Sequence, residues 1–594
     1  MSGHLLLVTL GPVQEFIAQA RRTRDLWYGS HLLSELSRAA ARELVEGGAE
    51  LIFPALRKGD PELAPCLAPL RANGKPPLNV ANKLVAEVPA GVDPGELARR
   101  TRRAVVRFWR EAVAASVKGK CAGLLAPGVG AVWDEQIDTF LEFTAAWAPL
   151  TEYLGARRQL EAAVAARKNL RDFSPWTKQR GNVPKSSLDG ARETVLAERR
   201  SESLTRMYRI ADAEQLDAVG LVKRTGGEPG QFVPVVNVAF ASWVDLAKRE
   251  VTRQLEALAR ACNKVGLAPV KRSDLPCAEA FPFDASVLLP SRWKAVFEEQ
   301  GLKDDPQEWG TRHVRPSLDV LGEPHPYVAC LVADGDRMGR AIDRLASAES
   351  HRAFSQALSG FASVARRIVE QDHRGVLVYS GGDDVLAFLP LPEALGCADE
   401  LRRQFDTVIA SACGDLSAAE RPTLSVGVGV GHVMESMGDL LALGREAERP
   451  LAKSERNSLG VIVDKRSGGR RAWAERWNAD PVGRLHQDAQ LLEARLSSRK
   501  VYEIAATLRR LPTPGTVDHD ATWARLLALE VRRSLSRVGE GAVKPDEVGL
   551  RLDGGTQYGD LHRRVSAWVD RMLIASTFAR ATPRVRRRAP EVPA

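Results

Sequence analysis

The stretch YVACLVADGDRMGR (327–340), followed by VYSGGDDVLAFLPL (378–391), decides the fold of its half of the chain. YVACLVA is an unbroken apolar run of strand length, and DGDRMGR ends it in a turn of Asp and Gly. Residues 339–370 repeat apolar positions at helical spacing, GVLVYS is a second strand, GGDD a turn and VLAFLPL a third strand. Residues 393–412 are helical, TLSVGVGVGH is a fourth strand, 438–456 are helical, and LGVIVD is a last short strand. The order β-α-β-β-α-β is that of the split βαβ, or ferredoxin-like, arrangement.

In that arrangement the third strand runs antiparallel beside the first, so the end of the first strand meets the hairpin between the second and third. Asp334 and Asp336 are thereby expected beside Asp383 and Asp384. Two bare carboxylates about 4 Å apart repel by roughly 4 kcal/mol at an effective dielectric near 20. A hard cation such as Mg²⁺ removes that cost by joining carboxylates to substrate phosphates. Read alone, GGDD fits a tight solvent-facing hairpin as well as a metal site; DGD at the neighbouring strand end favours the metal site. Gly335, Gly339, Gly381 and Gly382 can offer backbone amides to phosphates, and Ser380 and Lys453 are further donors. Met338, in the same turn, joins the nucleotide-side candidates.

The chemistry implied is nucleotidyl transfer, in which one metal acidifies a ribose hydroxyl and another steadies the triphosphate and its pyrophosphate leaving group. Asp334 and Asp383 are the first choices as bridging ligands, with Asp384 close behind. Asp336 is a nucleotide-side candidate or, alternatively, the cap of the following helix.

Outward from this unit, HLLLVTLG (4–11) is expected to be a buried strand, followed by one helical segment up to Gly47 and Gly48. AELIFPAL (49–56) and VANKLVAEVP (80–89) are further strands, and 94–119 is a long helix. Residues 1–120 therefore form an α+β unit with helices on one face of a small sheet. Residues 121–320 are a mainly helical connecting domain, in which the basic WTKQRGNVPKSSLDGARE (176–193) is either a solvated loop or a grip on a phosphate backbone. Residues 321–469 hold the acidic unit, strands stop near 470, 470–580 form a helical bundle, and 581–594 are a basic tail.

With 594 residues and 44% apolar side chains the chain is an ordinary multi-domain globular protein, which excludes the disordered, fibrous and membrane classes. A formal charge of +9 allows a polyanionic partner without demanding one. Seven cysteines with no C-x-x-C pair argue against a disulfide framework and for a reducing cytoplasm; Cys262 and Cys277 are ordinary thiols, and no zinc is expected. No run of apolar residues is long enough to span a bilayer, and the first residues lack a signal-peptide pattern. Secretion and membrane insertion are set aside.

GPVQEFIAQARRTRDLWYGSHLLSEL (11–36), SSLDGARETV (186–195), LVADGDRMG (331–339) and VYSGGDDVLAFLPL (378–391), with LSVGVGVGH and AERPLAK after them, resemble the large polymerase/cyclase subunit of type III CRISPR effector complexes, especially the Cmr or type III-B form. The similarity runs over nearly the whole chain. It implies two palm domains related to nucleotidyl cyclases, a connecting domain and a helical domain. It also implies conversion of ATP to oligoadenylate messengers, usually cyclic and 3′–5′ linked, when a guide-RNA-bound complex of Cmr-type subunits captures target RNA.

By the same resemblance, Mg²⁺ or Mn²⁺ is held by Asp334, the Gly335 backbone, Asp383 and Asp384. Gly11, Gln14 and Ser30 are weaker nucleotide-site candidates in the first palm, and Arg21 and Asp25 tie its helix to the interface. Many relatives begin with an HD-type nuclease domain, for which residues before His4 leave no room, so single-stranded DNA cleavage is not expected. Asp518, His519 and Asp520 are isolated and are expected to be surface or cap residues. Two alternatives remain: a structural RNA-binding subunit with a regulatory nucleotide pocket, and a free-standing cyclic dinucleotide synthase.

Overall fold

The first strand, β1 (His4–Gly11), is apolar along its length because both of its faces are covered. Leu6, Val8 and Leu10 pack with Leu32 and Leu36 of the helix Thr23–Glu46 and Leu97 of the helix Pro94–Arg107. Leu5 and Leu7 pack on the opposite face with Ala156, Leu160 and Val164 of the helix Tyr153–Asn169. The expectation that helices cover only one face is corrected by that last helix. A computed structural model describes residues 3–585 except 69, 72–76, 171–174, 229–231, 273, 414–415, 418–419, 517, 537–542 and 553–556; the end of the basic tail, 586–594, lies outside the described residues.

β2 (Glu50–Phe53), β3 (Lys83–Val88) and β4 (Glu142–Pro149) complete an antiparallel sheet in the order β2-β3-β1-β4. β4 falls in the segment expected to be helical connector. It is an alanine-rich edge strand with Trp147 46% exposed, so it lacks the apolar alternation that marks a strand.

The second sheet contains β5 (Tyr327–Asp336), β6 (Val376–Ser380), β7 (Val385–Pro390), β8 (Thr423–His432), β9 (Ser458–Lys465) and β10 (Gly469–Arg476) in the order β10-β9-β8-β5-β7-β6. Only the β8–β9 pair is parallel. β10 extends the sheet beyond residue 470, where strands were expected to stop. Arg470 and Arg476 are exposed on it, while Arg471 and Glu475, half-buried, flank the buried Trp473 and pair with Asp570 and Arg484, a charged edge that reads as loop or helix.

In β8, Val426, Val428 and Val430 enter one core while Gly427, Gly429 and Gly431 face the helix Met437–Glu446 and the turn after it. A Cβ at 427 would lie 2.2 Å from Glu448 N, and one at 429 would lie 2.3 Å from Gly444 N. The glycine alternation is therefore what lets this helix lie on the strand. Beyond the sheet, the helices Pro481–Ala494, Ser498–Arg510, Asp520–Ser536 and Tyr558–Ala581 enclose a core of their own. Asp520 accepts from the Tyr558 amide at 2.6 Å, a capping contact between helix starts.

The expected single helix over 12–48 is split into Gln14–Ala18 and Thr23–Glu46. Asp25 stops it, accepting at Oδ2 from the amides of Arg21 (3.1 Å) and Arg22 (3.0 Å). Two cations from the connector helix Ala218–Thr225 complete the break. The Lys223 ammonium donates to the Phe16 and Gln19 carbonyls left without helical partners. Arg224 donates to Asp25 Oδ1 (2.6 Å) and Oδ2 (2.8 Å) and to Glu214 Oε1 (2.8 Å) and Oε2 (2.9 Å), all of it buried. Asp25 thus ties its helix to the connector. Asp25→Ala leaves Arg224 with one carboxylate and two amides without an acceptor, and is expected to cost about 3–5 kcal/mol. Thermal unfolding of the variant checks this; an unchanged midpoint would mean that Lys223 alone holds the break.

Candidate active site

β5 and β7 are antiparallel with Ala333 opposite Val385, so the next residues, Asp334 and Asp384, leave the ladder side by side. The β6–β7 turn carries Gly381 to Asp384; the Gly381 amide donates to the Asp384 carbonyl at 3.1 Å, and Gly382 has φ +99°, a conformation suited to glycine. Asp383 reaches back over β5: a Cβ at Gly335 would lie 2.8 Å from its Oδ2 and 2.6 Å from Met338 Cγ. The space over Gly335 is therefore shared by a carboxylate and the Met338 side chain, while Gly339 faces open space. Asp334, Asp383 and Asp384 are thus brought to one strand end.

The charges there are held at a cost. Burial, then the adjacent Asp384, pushes the Asp383 carboxyl up to about 7. Burial likewise pushes Asp384 up to about 6, with Arg449 opposing it. Tyr379, whose hydroxyl fills the place of a Cβ on Gly381, is shifted upward by burial and by both aspartates. The Ser380 hydroxyl is buried with no hydrogen-bond partner among the described residues.

Asp334 is paired with the Lys453 ammonium, which also lies 3.7 Å from Glu448 Oε1. Burial lowers the Lys453 pKa. Glu448 was missed from the sequence. It is buried, its Oε1 has no hydrogen-bond partner among the described residues, and burial pushes its pKa up to about 7, with the fields of Asp384 and Asp336 adding to the rise. Glu448 and Pro450 both lie inside the π-turn Ala447–Ala452, which interrupts the regular helix between Glu446 and Lys453. The available signals were a proline within helical periodicity and the AERPLAK stretch that contains it.

Asp336 differs from expectation. It does not cap the next helix, whose N-cap is Arg337; its Oδ2 accepts from Thr423 Oγ1 (2.9 Å), Ser425 Oγ (2.8 Å) and the Asn457 amide (2.9 Å), which ties β5 to β8 and to the loop before β9. Of the first-sheet candidates, Gln14 reaches this end through Arg449, whose Nη2 donates to its Oε1 at 3.2 Å. Gly11 lies instead against Glu142 at the start of β4, and Ser30 is buried on the helix Thr23–Glu46 with its hydroxyl unpartnered among the described residues.

Among the described residues, no group of three or more His, Cys, Asp or Glu side chains converges as metal ligands. The donor chemistry nevertheless fits a hard cation: two adjacent carboxylates with raised pKa values and a third neutralised by a lysine supply the one or two oxygen ligands that Mg²⁺ takes alongside phosphates.

Residues 327–460 match the family model described as Cas10/Cmr2, second palm domain, and residues 5–114 match that of CRISPR-associated protein Cmr2, N-terminal. The chain is 26% identical over 561 residues to the CRISPR system Cmr subunit Cmr2 of Pyrococcus furiosus, an alignment covering 78% of this chain and 62% of that protein. Two solved structures share the fold. The apo type III-B Cmr-beta structure superposes with a TM-score of 0.59 at 14% identity, covering 91% of this chain and 78% of the other. Cmr-beta bound to cognate target RNA gives 0.58 at 13% identity, covering 91% and 79%. No described helix is long and apolar enough to cross a membrane.

The raised pKa values set a pH dependence. Asp383 and Asp384 hold their protons more tightly folded than unfolded, so their contribution to stability is full below about pH 4 and is lost as pH rises through about 6 to 7. Asp383→Asn is therefore expected to raise the thermal midpoint of the divalent-free protein at about pH 7.5 and to leave it equal to wild type near about pH 4. Equal midpoints at both values would show that the acid pair is not strained.

Proposed function

We propose that this chain, a palm-domain protein of the Cas10/Cmr2 family related to type III-B Cmr effector proteins, is a nucleotidyltransferase that converts ATP to cyclic 3′–5′ oligoadenylates when target RNA is captured. Its partners in this reading are other Cmr-type subunits, guide RNA and target RNA, in the cytoplasm. The observation that carries it is the meeting of Asp334 with the GGDD turn across the β5–β7 ladder, within the region matched as a second palm. Each sheet contains a β-α-β-β-α-β unit, in the orders β2-β3-β1-β4 and β8-β5-β7-β6, which supports reading both as ferredoxin-like palms. The pairing of β4 with β1 argues that the first palm extends beyond residue 120 to at least Pro149.

Asp334, Asp383, Asp384 and the Gly335 backbone would hold Mg²⁺ or Mn²⁺. When bound, the cation would acidify the attacking hydroxyl and screen the phosphates. The chain's own groups do the positioning. The open space at Gly339 and the left-handed turn at Gly382 leave room for phosphates beside backbone amides. Lys453 neutralises Asp334 and, with Arg449, supplies positive charge beside the acids. The Arg449–Gln14 hydrogen bond brings the first sheet's segment to the edge of the site, so a ligand there would meet both sheets.

The Lys453–Asp334 pair also suits a second reading, a structural RNA-binding subunit with a regulatory nucleotide pocket, since a neutralised ligand set can bind without turning over. Asp383→Ala with Asp384→Ala decides between them. In the assembled complex with guide and target RNA, mass spectrometry is expected to find oligoadenylates from wild type and a loss of at least about 100-fold in the double variant, whose assembly is retained. Unchanged signalling by the double variant favours the pocket, and turnover without RNA or partners favours a free-standing synthase. Mg²⁺ should also raise the thermal midpoint of wild type near about pH 7.5 and leave the double variant unmoved.

A further inference from the structure

A cavity of about 920 Å³ opens where the start of the helix Thr23–Glu46 meets the connector and the turn after β8. Its size is that of a ligand pocket, for which about 300–1,000 Å³ is usual. Eight Arg and Lys residues line it against four Asp and Glu. Three of those four acids are already engaged: Asp284 with Arg209 (2.6 Å), Glu299 with Arg292 (3.4 Å) and Glu435 with Arg466 (2.9 Å). Arg209 and Arg292 are themselves among the eight and Arg206 is paired with Glu202, so Arg21, Arg22, Arg24, Lys120 and Lys271 make up the positive excess of the wall.

Arg24 is the unusual member. It is only 6% exposed, and its Nε and Nη2 have no hydrogen-bond partner among the described residues. The neighbouring carboxylate, Asp25, is turned to Arg224. Arg24 lies instead over two aromatic faces, 4.7 Å from the Phe232 ring centre and 5.4 Å from that of Tyr208. Burial pulls its pKa down to about 10. A guanidinium held out of water without an acceptor is costly, and an anion is what would relieve it. The same wall holds residues 21–24, the start of a 24-residue helix whose dipole favours negative charge.

We propose that this cleft is a second phosphate-binding site, separate from Asp334, Asp383 and Asp384, that takes the phosphate of a nucleotide, free or within a single strand. Arg24 receives the phosphate, Phe232 and Tyr208 support its guanidinium, and Arg21, Arg22 and Lys271 supply the surrounding field. Nothing in this depends on catalysis at the acidic site.

The test uses the full chain without divalent cations and three probes: inorganic triphosphate, ATP and a labelled single-stranded RNA. Arg24→Gln is expected to weaken binding by about tenfold or more, the scale of a lost charge-assisted contact. Weakening for all three probes identifies the phosphate group as sufficient; weakening for RNA alone identifies the strand as the source. Lys271→Glu, at an exposed rim position, should weaken the same probes while leaving the thermal midpoint unchanged. The proposal is overturned if a folded Arg24→Gln binds every probe like wild type, or if Arg24→Gln only lowers the thermal midpoint and Lys271→Glu changes no affinity, since Arg24 would then serve packing alone.

Discussion

β5 is hydrogen-bonded on both sides, to β7 and to β8, and its register with β7 fixes where three carboxylates stand. A strand shifted by one residue would turn Asp334 to the opposite face. That shift is opposed from the other side, because Asp336 is bound to Thr423, Ser425 and Asn457. One aspartate of the DGD turn thus locks the strand end with three donors while the other, Asp334, is paired with a single lysine. Residues two apart share a face, so alternation alone does not divide these roles; the partners do, since Asp336 accepts from the Thr423 and Ser425 hydroxyls of β8 while Asp334 is paired with Lys453.

The first sheet is placed by contacts from the second unit. Arg157 donates to the Ile342 carbonyl and to Asp343 at 2.7 Å, the Tyr153 hydroxyl lies 2.6 Å from His351 Nδ1, and the Ala55 amide donates to Ser355 at 3.1 Å. All three bring elements of the first sheet to the segment 342–355, between β5 and β6. A further contact from the second unit runs from Arg449 to Gln14. Since the Lys223 and Arg224 cations also fix the Phe16–Asp25 break, the position of Gln14 is set from both the connector and the second sheet.

The second sheet and its acid cluster were legible because the signals were local: apolar runs of strand length, Gly-Asp turns between them, and a topology that joins their ends. β4 and β10 were not, since an alanine-rich edge and a charged edge carry no core-facing alternation. The capping alternative for Asp336 failed because, although a carboxylate before a helix suggests a cap, its three donors come from residues 423, 425 and 457. The reach of Gln14 to Arg449 crosses 435 positions of sequence and leaves no local trace.

Two of the places where the chain holds poorly compensated charge are also places where a helix departs from regularity. Glu448 stands in a π-turn containing Pro450, and Arg24 stands just after the break that Asp25 makes. A regular helix satisfies its own backbone and spaces its side chains evenly, so a buried charge on it needs a partner on the facing element. At an irregular turn the backbone itself becomes a donor or acceptor, and packing around it can hold a charge whose partner is not part of the chain. Helical periodicity reads straight across both interruptions, which is why composition shows a chain of +9 while the structure concentrates carboxylates at one end of β5 and cations at the start of one helix. For the phosphate ligands proposed above, that separation matters more than the net value: the carboxylates need a cation before they can approach a phosphate, whereas the arginines do not.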